Sequence, residues 1–258
     1  MRKTLTENEL WFLLTLFAPS LVIGFRNPTA GLLRDEILTL RKKLSEELVT
    51  KKIIQREKND VKIIAPLHSY CWQMTHAEKV LLITLKIENE STTTLAVYPA
   101  SDQIVVSMTS QGVSEYEVFS ASQEEILAMI TGVTREASDV SPVGSAWFNV
   151  EQEKVIRAHR FIEEDKVDEA VNLVRNTSFA LLWEQYVDTI KKPAITCALV
   201  EFFNLQSISD MYTAGFSFVL EKKNCWIVEP SGEDPQLASI RKTSIHAIQQ
   251  RIQNALSM

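Results

Sequence analysis

Three residues that could bind a metal ion or act as nucleophiles lie close together in the sequence, at His68, Cys71 and His76. Imidazole nitrogens and thiolates are common protein ligands of Zn²⁺. On an α-helix of about 3.6 residues per turn, Cys71 lies about 60° to one side of His68 and His76 about 80° to the other. Side chains spread in this way do not converge easily on one ion. We therefore expect three ordinary helix residues beside a sheet, and no metal site.

Other residues suited to catalysis are scattered and form no known motif. His159 and His246 have no Ser or Cys at an identifiable motif spacing, and the acidic run 163–165 is typical of a solvated helix end. The chain has seven glycines, and none falls in a GxGxxG, GxxxxGK[ST] or GxSxG motif; HExxH and CxxC motifs are also missing. The sequence thus predicts no enzyme, no catalytic residue and no cofactor. A catalytic triad assembled in space stays open as a third class of function.

Composition and charge narrow the choice of partners. The formal net charge of −6 disfavours binding to nucleic acid or anionic lipid. Cys71, Cys197 and Cys225 are few and odd in number, which fits a reducing compartment. The apolar run 10–17 follows acidic residues and is too short for a membrane span. We expect a cytoplasmic protein with no export signal and no membrane insertion.

The first elements that would position these residues begin with a capping box. Thr6 is expected to cap a helix by accepting from the third backbone N–H, while Glu9 reaches back to the capping residue. The elements predicted up to residue 78 are helices over 7–17, 32–48 and 66–78 and a hairpin over 52–64. A hairpin after a helix is the pattern of a winged helix, so residues 5–65 predict a winged-helix-like segment.

Four short strands and one helix follow in the first half. The predicted strands cover 80–87, 93–98, 103–109 and 114–119, and the helix covers 123–130. Short polar connections force consecutive strands to run antiparallel. Residues 132–148 are the best candidate for a connection because they hold Gly, Ser and Pro. We therefore divide the chain into an N-terminal half, 1–131, and a C-terminal half, 149–258, within one compact unit.

The C-terminal half repeats this order of elements. Its predicted helices cover 150–162, 167–174 and 179–190, its strands cover 195–203, 212–220, 224–229 and 237–242, and its last helix covers 245–256. Trp72 and Trp183 each sit on the helix before the first strand of their half.

The last helix of each half also begins in the same way. Ser122 stands four residues before Ile126 and eight before Ile130, and Ser244 stands at the same distances before Ile248 and Ile252. Each Ser is a capping-type residue followed by an apolar pair that faces a sheet. The sequence predicts an α+β fold with a pseudo-twofold arrangement of two helices-then-antiparallel-strands-then-helix halves.

The predicted hairpin raises one alternative function. Five basic residues in or beside it could contact phosphate, namely Lys51, Lys52, Arg56, Lys58 and Lys62. Acidic residues are interleaved with them, and the preceding helix lacks the Arg, Asn and Gln cluster that reads base edges. We expect no nucleic acid as a partner, and keep a winged-helix transcriptional regulator with an α+β sensing domain as the alternative.

The final sequence feature is a resemblance to a known family. It rests on LTENELW at 5–11, on LSEELVTKKII at 44–54 and on the repeated strands-then-helix pattern. In these features the chain resembles the EspG-like chaperones of bacterial ESX (type VII) secretion systems, including the EsaE-type chaperones, along nearly its whole length. The resemblance implies a non-catalytic cytoplasmic chaperone or adaptor. Its partner would be a helical secreted protein of Trp-x-Gly or LXG type, or a toxin carrying one, kept soluble and export-competent.

Candidate partner-binding residues lie in the second half, around a strand end and the loop after it. They are Phe202, Phe203, Leu205, Ile208, Met211 and Tyr212. Consecutive strand residues point to opposite faces, so Phe202 and Phe203 cannot both enter a single-faced core. Three more apolar residues then occupy a turn segment that is normally polar. We predict that a partner helix lies across this surface; the alternative is that the helices over 150–190 cover it.

Overall fold

The computed structural model describes residues 2–18, 22–57, 60–87, 91–100, 104–132, 146–191, 195–205, 212–221 and 224–257. Within these ranges the chain forms eight α-helices and twelve β-strands. Every strand pair whose register is described is antiparallel. The predicted α+β class with antiparallel pairing is confirmed. None of the described helices is long and apolar enough to span a bilayer.

The elements agree closely with the predicted ones. The helices are α1 Glu7–Thr15, α2 Arg34–Thr50, α3 Leu67–His76, α4 Gln123–Thr131, α5 Gln152–Glu163, α6 Val167–Asn172, α7 Ala180–Lys191 and α8 Ile245–Ser257. The strands are β1 Lys3–Thr6, β2 Ile54–Glu57, β3 Asp60–Ile63, β4 Lys79–Ile87, β5 Thr93–Pro99, β6 Ile104–Ser110, β7 Glu115–Ala121, β8 Trp147–Glu151, β9 Ile195–Asn204, β10 Tyr212–Glu221, β11 Asn224–Pro230 and β12 Leu237–Thr243.

The residues cluster into two compact units that interleave along the chain. The first unit comprises Met1–Leu82, Thr93–Ser122 and Phe203–Met211, and the second comprises Ile83–Thr92, Gln123–Phe202 and Tyr212–Met258. Helix α4, which we assigned to the N-terminal half, therefore groups with the second unit. The end of β9 groups with the first unit, because its side chains pack against the core of that unit.

The first unit packs α1 and α3 against its sheet, while α2 lies against α1 and the β2–β3 hairpin. The strand order is β1-β7-β6-β5, followed by the first residues of β4, while β2 and β3 form a separate hairpin. The predicted capping box opens α1: Glu9 N donates to Thr6 Oγ1 at 3.2 Å and Thr6 N donates to the Glu9 carboxylate at 2.9 Å. Gly24 has φ +78°, and a Cβ there would lie 2.3 Å from Ala96 Cβ, so only glycine lets this loop approach the sheet.

The sheet of the second unit is covered on both faces. Its strand order is β9-β10-β11-β12-β8. One face carries Phe148, Trp226 and Ile240, which pack with Trp183 and Tyr186 of α7. The opposite face lies under α8, where the Arg251 guanidinium sits 4.5 Å from the centroid of the Phe216 ring on β10.

Helices α4 and α8 pack against each other as an antiparallel pair. Gln249 Nε2, near the start of α8, donates to Thr131 Oγ1 at the end of α4 at 3.2 Å. At the other end, Gln123 Nε2 donates to Ser257 Oγ at 3.4 Å. The four isoleucines of the sequence echo, Ile126, Ile130, Ile248 and Ile252, are all fully buried. Ser244 caps α8 as expected, since its Oγ accepts from Ala247 N at 3.1 Å.

Two strands were not predicted, β1 and β8. The predicted helix over 150–162 starts instead at Gln152, because Trp147–Glu151 pairs with β12. With these strands included, the order is β1-β7-β6-β5-β4 for the strands of the first half of the chain and β8-β12-β11-β10-β9 for those of the second half. In each half, the strand that precedes the helices pairs with the last of the four consecutive strands (the meander) that follow them. The pseudo-twofold relation and the winged-helix character of residues 5–65 stay predictions.

Candidate partner-binding site

The structure does not bring His68, Cys71 and His76 together as a metal site. Cys71 is fully buried, and this burial raises the pKa of its thiol to about 12. His68 and His76 are exposed on α3, where His68 lies edge-on to Phe17 and His76 stacks on Trp72 with 4.7 Å between ring centroids. In the described part of the chain, no group of three His, Cys, Asp or Glu side chains is placed to hold an ion.

His159 is held in a structural contact. Its Nε2 lies 3.0 Å from the Tyr186 hydroxyl, one partner being the donor. Burial lowers the pKa of His159, and the nearby Glu163 carboxylate opposes this shift only in part. Burial also raises the pKa of Tyr186, so its hydroxyl stays protonated and is a poor nucleophile. His246 is exposed on α8. The geometry of these residues supports packing more than catalysis.

The acidic run at the end of α5 is solvated, as predicted. Glu163, Glu164 and Asp165 are all exposed. The Glu164 carboxylate accepts from Lys166 Nζ at 2.6 Å, a surface pair of small energetic value.

Three of the five hairpin bases are engaged within the first unit. Lys51 Nζ donates to the buried carboxylate of Glu9 at 2.6 Å, Arg56 donates to Ser45 Oγ at 2.6 Å, and Lys62 pairs with Glu57. Lys52 is exposed, and Lys58 lies outside the described residues. A phosphate would have to compete with these intramolecular partners.

The predicted partner-binding residues divide into described and undescribed ones. Phe202 is half-buried, with its ring 6.0 Å from the buried ring of Phe216. Phe203 and Leu205 are half-buried against the core of the first unit. Leu205 N donates to Glu78 O at 2.7 Å. Ile208 and Met211 lie outside the described residues, as does the side chain of Tyr212 on β10.

The two phenylalanines correct one step of the sequence argument. Phe202 lies near Phe216, on the face of the second unit's sheet that α8 covers, whereas Phe203 packs against the core of the first unit. Both rings are half-buried, so the assumption that one of them must be left uncovered does not hold. The assignment of these residues to a partner site stays a prediction.

An open apolar groove lies on the strand pair that contains the predicted site. Its volume is about 200 Å³, and it is bounded by α5 and by strands β9 to β12 of the second unit. The residues that carry its apolar character are Val155, Ile156, Leu199 and Val228, with Gly215 leaving space on β10. Two of its side chains are large and exposed, Ile156 at 62% and Leu199 at 37%.

The groove follows from how α5 is placed. Gln152 N donates to Gln236 O at 2.9 Å and Gln152 Nε2 donates to Pro235 O at 2.8 Å, which fixes the first turn of the helix. Val155 and Ala158 face the core. Ile156 lies about 100° further round the helix than Val155, at the border between core and solvent. This position leaves the Ile156 side chain beside the groove.

The chemistry of the groove is that of a binding surface. The lining is mainly apolar, so a partner side chain would be held by burial; a fully buried Leu or Phe contributes about 1.5–3 kcal/mol. Sequence reasoning missed Ile156 and Leu199. The sequence did contain one signal for Ile156. It is an apolar residue on α5 that does not share the buried face of Val155 and Ala158.

Comparison with known proteins finds a similar fold among solved structures. No protein-family model and no curated protein matches the sequence. The structure is similar to a solved structure of EspG5, the Mycobacterium tuberculosis type VII secretion system chaperone in complex with a PE25–PPE41 dimer. The TM-score is 0.62 at 12% sequence identity, over 99% of this chain and 96% of that chain. The chain has the EspG5 fold. The EspG-like fold expected from the sequence is thereby confirmed.

Proposed function

We propose that the chain is a non-catalytic cytoplasmic chaperone or adaptor of a type VII secretion system. It binds a helical secreted protein and keeps that protein soluble and competent for export. The partner class we favour is a Trp-x-Gly or LXG protein, or a toxin that carries such a helical hairpin. An unescorted hairpin exposes an apolar stripe that aggregates, and a surface that covers the stripe prevents this.

The observation that carries the proposal is the shared fold. The likeness to EspG5 extends over 99% of this chain, so it includes both compact units. EspG5 was solved in complex with a PE25–PPE41 dimer. The net charge of −6 and the absence of nucleotide and hydrolase motifs agree with a carrier protein. The matching strand order of the two units also supports a pseudo-twofold origin of the fold, with residues 5–65 as a winged-helix-like elaboration.

We assign the first partner contact to the groove beside α5. Ile156 and Leu199 are exposed apolar groups that a helix with apolar residues at i, i+3, i+4 and i+7 could cover. As a separate candidate surface we keep the strand end and the segment after it, with Phe202, Phe203, Leu205, Ile208, Met211 and Tyr212 as its partner-binding residues.

Co-expression with small helical proteins encoded beside its gene tests the function, and a pair of matched variants tests the groove. Ile156→Asp places a charge in the groove. Leu181→Asp makes the same change on α7, at an exposed site that does not line the groove; the exposed fractions are 62% and 68%. We expect Ile156→Asp to abolish co-purification and Leu181→Asp to preserve it, both with a melting temperature close to that of the unmodified chain.

Failure of the proposed function and failure of the groove assignment give different results. If no complex forms with any candidate by size-exclusion chromatography, the chaperone function is wrong. If a complex forms and survives Ile156→Asp, the function stands and the groove is not its contact surface.

A further inference from the structure

The strand β8 forms one edge of the second unit's sheet. It pairs with β12, and no strand in the described part of the chain pairs with its other side. Lys242 N donates to Ala146 O and Gln152 N donates to Gln236 O, each at 2.9 Å. Hydrogen-bonded pairs alternate along an antiparallel ladder. The backbone groups of residues 148 and 150 therefore point to β12, and those of Trp147, Asn149 and Glu151 point away from it.

This edge lacks the features that usually block strand addition. Exposed edges are commonly protected by Lys, Pro or a bulge, or by very short strands. The sequence of β8, Trp-Phe-Asn-Val-Glu, contains no Lys, Pro or Gly, and its one charged residue, Glu151, is the last of the strand. The edge strand of the first unit, β1, is four residues long and carries Lys3. The edge strand of the first unit thus carries a protecting Lys, and that of the second unit does not.

The surroundings of β8 supply contacts for the side chains of an added strand. Trp147 is 59% exposed. An open cleft of about 410 Å³ runs alongside, lined by Trp147, Asn149, Ser239 and Arg241 among others. The Oδ1 atom of Asn149 is buried, and no hydrogen-bond partner for it occurs in the described structure. A buried acceptor without a donor is costly, so the fold should tolerate Asn149→Val, which removes it.

The charge at one end of β8 indicates which segment fits. Glu151, Glu153 and Glu233 are exposed around the C-terminal end of the strand, and Asp234 lies in the adjoining turn. Lys154 pairs with Glu151 at 2.9 Å, which offsets only part of this negative charge. A basic side chain on the added strand is complementary to this end, whereas an acidic one is repelled.

We propose that β8 binds an extended segment of a partner protein as an additional β-strand. The segment bonds to the outward backbone groups of Trp147, Asn149 and Glu151, covers the Trp147 ring and places a basic side chain at the acidic end. Such strand addition takes affinity from backbone hydrogen bonds and selectivity from alternate side chains. It is a second mode of binding, for an extended rather than a helical segment, and it does not depend on the chaperone proposal.

Two variants of one residue separate backbone from side-chain effects. Asn149→Pro removes an outward N–H that the β8–β12 ladder does not use, so the fold is expected to tolerate it. Asn149→Val keeps that N–H and removes the amide. The probe is a phage-displayed library of random 12-residue peptides, selected on the full chain. We expect enriched peptides to carry Lys or Arg and to lose at least tenfold in affinity for Asn149→Pro but less than threefold for Asn149→Val.

Amide hydrogen exchange by NMR gives the decisive pattern. In the free chain we expect the amides of residues 148 and 150 to exchange slowly and those of 147, 149 and 151 to exchange fast. A bound peptide should slow the second set. The proposal is overturned if the second set is already slow in the free chain, if its protection rises with protein concentration alone because a second copy covers the edge, or if no selected peptide distinguishes Asn149→Pro from the unmodified chain.

Discussion

Trp72 and Trp183 occupy matching places in the two units, yet their environments are opposite. Each stands on the helix before the first strand of its meander. Trp183 is fully buried, and its Nε1 donates to Ala170 O at 2.9 Å. Trp72 is 51% exposed and stacks on the exposed ring of His76. The two units therefore share an order of elements without sharing the residues that form their cores.

The difference follows from the buried stripe of each helix. In α7, Trp183 belongs to a buried stripe at helical spacing, together with Tyr186, Val187 and Ile190. In α3 the buried stripe runs through Leu67, Tyr70, Cys71 and Met74. Trp72 follows Cys71 by one residue, about 100° away round the helix. An aromatic residue on the correct element is thus not enough; its phase on the helix decides whether it enters the core.

The largest expected effect is a loss of stability when the buried one of these two tryptophans is replaced. Trp183→Ala should lower the free energy of unfolding by about 3–5 kcal/mol, since it removes a buried indole and its hydrogen bond to Ala170 O. Trp72→Ala should cost less than about 1 kcal/mol. Urea unfolding followed by far-UV circular dichroism measures both. Equal losses would mean that the two tryptophans play the same structural role.

A second prediction concerns the end of β9, where the second half of the sequence supplies side chains to the first unit's core. The double variant Phe203→Ser, Leu205→Ser should lower the free energy of unfolding by about 2–3 kcal/mol, because two half-buried apolar side chains are lost. Leu199→Ser, on the same strand but beside the groove, serves as the control and should cost less. An unchanged melting temperature together with loss of partner binding would instead place Phe203 and Leu205 in an exposed site.

The third prediction separates the units by their response to acid. The pKa of His159 is lowered from 6.5 by burial, so its contribution to stability is present above pH 6.5 and is lost as the pH falls through the folded-state pKa. In the first unit, Glu9 is buried, which alone would raise its pKa, but hydrogen bonds from Lys51 and Thr6 hold that pKa below 4.5. The stabilising effect of the Glu9 carboxylate is then lost only below about pH 4.5.

Acidification from pH 7.5 to 5.5 should therefore weaken the second unit first. Hydrogen exchange resolved by residue measures this as faster opening around α5 and α7 while α1 is unaffected. His159→Gln should remove much of the dependence, since Gln does not titrate, and His246→Gln, at an exposed site, should not. Equal sensitivity of both units above pH 5 would contradict the assignment.

The smallest expected effects compare two helix caps. Thr6→Ala removes the side-chain acceptor of the capping box of α1, and Ser244→Ala removes the acceptor for Ala247 N at the start of α8. Each should cost about 1 kcal/mol. Thr6→Ser keeps the hydroxyl and should recover most of the loss. A neutral Ser244→Ala would show that the tertiary contacts of α8 hold its first turn without the cap.

The agreement between predicted and observed elements is closest where the signal is local. The capping box at Thr6 and Glu9, the stripe through Leu44 and Leu48, and the isoleucine pairs of α4 and α8 were all readable because helical spacing and capping depend on residues within one or two turns. The candidate site was harder to predict. The sequence indicated the β9–β10 strand pair, but the groove there is completed by Ile156 of α5, which is distant in sequence from those strands.

The sequence by itself determined the order of helices and strands, the antiparallel pairing that short connections force, and the repetition of that order. Only the tertiary structure decided which short segments become edge strands. Lys3–Thr6 and Trp147–Glu151 are too short to carry a clear period, and they are strands because β7 and β12 offer them hydrogen-bonding partners far away in the chain. It also decided that Trp72 faces solvent and Trp183 the core, since burial depends on which side of a helix its neighbours cover.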